Sequence, residues 1–398
     1  MDRARVRQDI RVMRFEDVLG RHDRGELSQD EAAEMLGISG RSFRRWRDRY
    51  VEDGEDGLLD RRVGKPSPKQ APESELARMR RLYVEMYGGF TIKHFHEKLR
   101  KRHDYKLCYT VTRLALQRAG LVAAAPRKGV HRRKRPRRTM AGMMLHQDGS
   151  RHAWLADRPA LDLVITLDDA TSEIYSAFLV EEEGTASSFR ALAETIAAKG
   201  LFCAFYTDRG SHYFHTPEAG GKVDKGAPTQ VGRALAELGI EHIAAYSPEA
   251  RGRCERAFRT LQDRLPKELA LAGIVAVVDA NRFIAEVYLP EHNRRFAVAP
   301  EEPGATFVPC PPEMWREVLC VHDERIVAPK GRAIPCNDNT VRWKGRILQI
   351  PASKLRPHFV RAKIRIHEYP DGALALFWGP HRIADFPPVK PPALQRAA

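Results

Sequence analysis

Five short apolar segments, at 143–148, 161–168, 174–180, 202–207 and 241–246, constrain the fold of this chain more than any other feature. The first three follow one another with no helical pattern between them. Helical patterns at about 184–199 and 229–239 then separate the third segment from the fourth and the fourth from the fifth. Strands joined by short turns pair antiparallel, whereas strands joined through a helix run parallel. The sequence therefore predicts a mixed five-stranded sheet with helices packed on it, an α/β core spanning 143–305.

The rest of the chain is organised differently. Of its 398 residues, the first 142 carry 35 Lys and Arg against 20 Asp and Glu, while the remaining 256 carry 32 of each. The whole net charge of +15 thus lies in the N-terminal third, which suggests an anionic polymer as partner. Within it, Glu26 to Trp46 has a helix-turn-helix pattern. Ala32, Ala33 and Leu36 form an apolar stripe, Gly37 permits the turn, and Ser39 can cap a second helix bearing Phe43 and Trp46. Arg41, Arg44, Arg45, Arg47 and Arg49 cover the outer surface of that second helix, as expected of a helix that enters the major groove.

A Gly- and Pro-punctuated linker leads to a second helical, helix-turn-helix-like module at 63–122, with Arg113 and Arg118 on its positive face. In the basic linker of residues 123–142, eight of the twelve residues from Arg127 to Arg138 are Lys or Arg, including Arg132, Arg133, Lys134 and Arg135. This composition fits an arm that tracks phosphates. After Pro300 the helical signal fades and short strands predict a small C-terminal β-barrel at 306–386, followed by a Pro-rich disordered tail at 387–398. The expected organisation is multidomain: helical modules at 1–62 and 63–122, the α/β core, then the barrel.

The six cysteines contain no C-x-x-C pair and several sit in apolar runs, which fits a reducing compartment. No apolar stretch is long enough to span a bilayer, and the first residues do not read as a secretory signal. A cytoplasmic protein without membrane partners is expected.

Three acids carry the chemistry. Asp148 ends the first strand candidate, Asp208 ends the fourth, and Glu255 lies on a helix predicted to begin at Ser247-Pro248. Cys254, Ala257, Phe258, Leu261 and Leu265 form the stripe that packs this helix on the sheet, and Glu255 borders it. Arg251, Arg253, Arg256 and Arg259 surround Glu255 and are placed to grip DNA phosphates. Phosphodiester cleavage by two Mg²⁺ ions needs oxygen ligands converging from neighbouring elements. Asp168 and Asp169, at the end of the second strand, compete with Asp148 as ligands. Ser150 and Ser211 read as turn formers.

Gln147-Asp148-Gly149-Ser150, Tyr206-Thr207-Asp208-Arg209-Gly210-Ser211 and Ser247 through Arg256 resemble the three signature blocks of DDE transposases. These are insertion-sequence enzymes with a retroviral-integrase-like, ribonuclease-H-like core, and the ISNCY-type group is the most similar. His292-Asn293-Arg294-Arg295-Phe296 and Gly57-Leu58-Leu59-Asp60-Arg61-Arg62 extend the resemblance over nearly the whole chain.

The resemblance implies a Mg²⁺-dependent polynucleotidyl transferase, with two ions and Mn²⁺ as a substitute, in which Asp148, Asp208 and Glu255 bind the metal. It implies cleavage and strand transfer on double-stranded element ends and target DNA, by at least a dimer, in a bacterial, nucleoid-associated setting. The alternative is a domesticated, non-catalytic DNA-binding regulator. The chain departs from the family pattern in the long gap between Asp208 and Glu255, where 215–228 reads as a polar, Gly-rich insertion. Integrases often carry an N-terminal His/Cys zinc site. Here His94, His96, His103 and Cys108 have poor zinc spacing, and a helix accounts for them.

Overall fold

The computed structural model describes residues 3–59, 71–124, 136–218, 221–224, 226–246, 252–327 and 339–388. The chain divides into two compact units, 1–86 with 99–123, and 87–98 with 124–398.

The first unit is helical. It contains α1 (Arg3–Asp23), α2 (Gln29–Leu36) and α3 (Gly40–Asp53), a 3-10 turn at Gly54–Leu58, α4 (Glu73–Met86), the end of α5 (Ile92–Arg102) and α6 (Tyr109–Arg118). The turn between α2 and α3 is built as the residues require. The Ser28 hydroxyl accepts from Glu31 N and the Glu31 carboxylate accepts from Ser28 N, a reciprocal cap worth about 1 kcal/mol. Gly37 adopts φ 68°, which a side chain would strain, and Ser39 caps α3 by accepting from Ser42 N. Beneath the turn Phe15 packs against Phe43, Trp46 and Tyr50 with ring centroids 5.8–5.9 Å apart. The expected helix-turn-helix is therefore present.

The second unit holds a mixed five-stranded sheet of β1 (Leu145–His152), β2 (Leu161–Asp168), β3 (Ile174–Val180), β4 (Ala204–Thr207) and β5 (Glu241–Ala244), in the order β3-β2-β1-β4-β5. β1, β2 and β3 pair antiparallel, and β4 runs parallel to both β1 and β5, as the spacing of strands and helices predicts. One face packs against α7 (Thr185–Lys199) and α8 (Gln230–Glu237) through Leu145, Phe205, Leu192 and Leu235. The other face takes Leu163, Ile165 and Leu167 of β2 against Cys254, Phe258, Leu261 and Leu265 of α9 (Gly252–Leu271). The predicted stripe on α9 is thus its packing surface. The predicted start of that helix at Ser247-Pro248 lies outside the described residues, as does Arg251.

α10 (Val277–Phe283), a π-turn at Ile284–Tyr288 and α11 (Leu289–Phe296) run past the edge strand β3. Asn281 accepts from Leu179 N and donates to Leu179 O, and Asn293 does the same to Ile174. Each amide occupies the hydrogen-bonding positions that a neighbouring strand would fill.

The C-terminal region differs from the expected barrel. After the short α12 (Pro312–Arg316), β6 (Val321–Ile326), β7 (Thr340–Trp343), β8 (Arg346–Gln349), β9 (Lys363–Glu368), β10 (Leu374–Trp378) and β11 (His381–Phe386) form two separate sheets. One is four-stranded in the order β11-β10-β9-β6, and the other is the β7-β8 hairpin. They share a core of Val341, Trp343, Leu348, Ile364, Ile366, Leu374 and Leu376, but no closed barrel forms among the described residues. The hairpin covers one apolar face of the larger sheet, so burial is achieved by layering rather than by closure.

Candidate functional site

Asp148 does not end its strand as expected. It lies in the middle of β1, which pairs with β2 from Leu145 to His152, so Asp148 sits opposite Ile165. Asp208 does follow directly on β4. The parallel register sets Leu145 against Phe205 and His146 against Tyr206, so Asp148 and Asp208 are each two residues beyond a matched pair. Side chains alternate along strands, and both acids share the parity of His146 and Tyr206, whose rings touch at 5.1 Å. That parity also belongs to Ile165, opposite Asp148 and packed on α9.

Two bonds fix how α9 crosses this face. Near its start, Arg253 Nε lies 2.5 Å from the Asp169 carboxylate, which also accepts from His146 Nε2. Further along, Gln262 Nε2 donates to Ser150 Oγ at 2.9 Å. Glu255 lies between these anchors on the helix, just as Asp148 lies between His146 and Ser150 on the strand. Asp148 is buried, Asp208 half-buried and Glu255 exposed, an arrangement open to solvent on the helix side. Asp208 Oδ1 accepts from Gly210 N at 2.8 Å, which orients the carboxylate in its loop.

Asp168 and Asp169, the competing ligands, have structural partners. Asp168 accepts from Gly142 N, Thr171 N and Thr171 Oγ1. Burial alone would raise the Asp169 carboxyl. Hydrogen bonds from His146 and Arg138 N, with the charge of Arg253, outweigh burial and hold it at about 2. Arg253 therefore turns inward to the protein, where the sequence reading had it grip DNA. Arg256 and Arg259 are exposed beside Glu255.

Glu183, an acid that sequence reasoning missed, lies against β1 on the face opposite Asp148. Its carboxylate occupies space left by Gly149, where a Cβ would lie 2.2 Å from Glu183 Oε2. Tyr213 donates to Glu183 Oε1 at 2.9 Å. The Gly that follows Asp148 was the available signal, since a strand glycine marks a close approach.

On α3, Arg41, Arg44, Arg45 and Arg49 are exposed, while Arg47 is half-buried and pairs with Asp48. Arg113 is half-buried on α6. Arg132, Arg133, Lys134 and Arg135 lie outside the described residues. Of the arm, Arg137 folds back, donating to Asp169 O, Ala170 O and Ser172 Oγ. The 215–228 segment closes on itself where it is described: Asp224 N donates to His215 O, and Arg209 donates to Gly221 O. The N-terminal His/Cys residues fall in both units, His94 and His96 in the second and His103 and Cys108 in the first. His94 pairs with Glu268 at 2.6 Å and stacks on Phe90.

Several known proteins are similar to this chain. Residues 18–75 match a winged helix-turn-helix family model. Among solved structures, a simian T-cell lymphotropic virus intasome chain is 16% identical, with 58% of this chain and 78% of that one covered and a TM-score of 0.34. The HTLV-2 integrase catalytic core domain in complex with magnesium is 13% identical, with 37% and 89% covered and a TM-score of 0.28. A transposase for insertion sequence IS1202 of Streptococcus pneumoniae is 32% identical over 162 residues, 41% of this chain and 34% of that protein. The putative transposase y4bF of Sinorhizobium fredii is 30% identical over 370 residues, 92% of this chain and 79% of that protein. With a helix-turn-helix, a mixed five-stranded sheet and this extent of identity, the chain belongs to the transposase family.

Proposed function

We propose that the chain is a DDE-type transposase with a ribonuclease-H-like core, in which Asp148, Asp208 and Glu255 bind the divalent metal that supports cleavage and strand transfer of DNA. The observation that carries this reading is the β1–β4 register together with the two contacts that anchor α9. In its support, the register pairs His146 with Tyr206, two residues before Asp148 and Asp208, and the Arg253–Asp169 and Gln262–Ser150 contacts anchor α9 on either side of Glu255 in sequence.

The donor set fits the metal. All three residues offer carboxylate oxygens, which suit Mg²⁺ or Mn²⁺ rather than softer ions. Two such ions, when bound, supply activation of the attacking oxygen and stabilisation of the leaving oxygen. The chain's own residues do the rest. Asp148, buried on a paired strand, fixes one side of the site. Arg253 holds the helix bearing Glu255 to the sheet. Exposed Arg256 and Arg259 take backbone phosphates beside it. The α3 arginines Arg41, Arg44, Arg45 and Arg47, with Arg113, position the element ends. The arm residues Arg132, Arg133, Lys134 and Arg135, together with Arg251, add phosphate contacts.

The reaction needs two DNA ends held together, hence at least a dimer on DNA, acting on the bacterial chromosome in the cytoplasm. Among the described residues no helix is long and apolar enough to cross a membrane. The test is an Asp148→Asn variant assayed on duplexes carrying the inverted repeats that flank the gene. It should bind those ends as the parent does and lose Mg²⁺-dependent nicking. Retained nicking removes Asp148 from the site.

A further inference from the structure

We propose that Cys320, His322 and His367 form a zinc site at the root of the C-terminal sheet, separate from the carboxylate site. Cys320 precedes β6 by one residue and His322 lies on it, two residues apart and so on one face. His367, on β9, is the direct antiparallel partner of His322. The register thus gathers three ligand-bearing side chains from positions 45 residues apart, with one donor atom of each within 4.8 Å of the others. Cys320 and His367 are buried and His322 is half-buried.

The hydrogen bonds around the cluster carry the argument further. Glu317 orients both imidazoles, its carbonyl contacting His322 Nε2 at 2.9 Å and its carboxylate contacting His367 Nδ1 at 3.1 Å. Metal-binding histidines characteristically donate their second ring N–H to a carboxylate or a backbone carbonyl, which leaves the other nitrogen for the ion. His367 Nε2 is that other nitrogen. It is buried without a hydrogen-bond partner in a residue only 3% exposed, a costly arrangement for a polar atom. Tyr369 and Arg382 hold the Glu317 carboxylate in place with bonds of 2.6 and 2.8 Å.

One sulfur and two imidazole nitrogens select Zn²⁺ over the hard, oxygen-seeking Mg²⁺ of the carboxylate site. Binding releases the Cys320 thiol proton to solvent and leaves a fourth position for water. The two imidazoles lie 3.8 Å apart and 13° from parallel, so capture of one ion tilts them out of their stack about χ2, while the strand register stays fixed. The site has a structural setting. Arg233 of α8 donates to Val318 O and Cys320 O, and Gln230 brackets His322 N and O. An ion here locks the first strand of the C-terminal sheet where α8 grips it.

The experiment uses the untagged full-length protein, stripped with a chelator, loaded with Zn²⁺ in excess Mg²⁺ and passed through gel filtration. One zinc per chain should remain, Co²⁺ should give a thiolate-to-metal charge-transfer band, and loading should raise the melting temperature. Cys320→Ser and His367→Gln should each lose the zinc and the band, and Asp148→Asn should keep both. A parent protein that retains no zinc and shows no cobalt–thiolate band overturns the proposal, whether or not the variants fold. So does a folded Cys320→Ser that retains zinc like the parent.

Discussion

Replacing Asp169 with asparagine tests the inward role of Arg253 most directly. The carboxylate is almost wholly buried, accepts hydrogen bonds from His146 Nε2 at 2.8 Å and Arg138 N at 2.7 Å, and forms an ion pair with Arg253, whose Nε lies 2.5 Å away. Its folded value of about 2, against about 3.9 in an unfolded chain, corresponds to about 2.5 kcal/mol of stability at neutral pH. Asparagine keeps the shape but removes the charge and one acceptor, and it breaks the largely buried ion pair with Arg253, a change that typically costs about 3–5 kcal/mol. The expected loss at pH 7 is therefore about 3 kcal/mol, read from urea denaturation.

Acid should shrink that difference. A carboxyl whose folded value is depressed contributes fully above its unfolded value and loses its contribution as the pH falls through its folded one. About half of the 2.5 kcal/mol should be gone by pH 3. A loss below about 1 kcal/mol at pH 7, or a gap between the two proteins that stays constant on acidification, would refute the reasoning.

Other perturbations have equally definite outcomes. Burial lowers His242 to about 4, so its contribution is whole above about pH 6.5 and is lost as the pH falls toward 4; His242→Phe should flatten that limb of the stability profile by up to about 3 kcal/mol. Asn293→Ala should cost about 2–3 kcal/mol and speed amide exchange at Ile174, whose N–H and C=O lose their partners. Gly57→Ala would place a Cβ 2.2 Å from the Arg49 carbonyl, so melting of the helix-turn-helix unit should fall by about 1–3 kcal/mol. The proposed chemistry uses water and a DNA 3′-hydroxyl as nucleophiles, so denaturing gels of a stalled reaction should show no protein-linked DNA, and a covalent adduct at a Ser or Tyr would exclude it.

The elements written in local chemistry were readable in advance. Gly37 and Ser39 spell out the turn of the helix-turn-helix, and the alternation of strand and helix patterns gives the mixed five-stranded sheet. What pairing at a distance decides was not readable. Asp148 looked like a strand end because the apolar run stops there, but β1 continues through polar residues because β2 supplies hydrogen bonds as far as His152. Arg253 looked like a phosphate ligand until Asp169 was found beneath it. Glu183 meets β1 through the gap at Gly149, on the face away from Asp148. His94, His96, His103 and Cys108 lie close in sequence with poor zinc spacing, while the compact Cys/His cluster joins residues far apart in sequence where β6 meets β9. The barrel was expected from strand count alone, and count does not say whether the first and last strands meet.

The amide clamps of Asn281 and Asn293 bear on how copies of this protein can assemble. An open sheet has two rails along which another chain can add a strand, and such addition is indiscriminate because it reads only backbone. Here the β3 rail, seven residues long, carries two decoys, at Ile174 and Leu179. A strand approaching from that side meets side-chain amides already bonded to the backbone it would need. Copies brought together on DNA are thus kept from fusing their sheets through β3, and their association falls to faces whose side chains can discriminate a correct partner from a wrong one. Fragments of the core that end before residue 277 lack both decoys and should polymerise along β3, a failure of solubility that has nothing to do with the integrity of the carboxylate site.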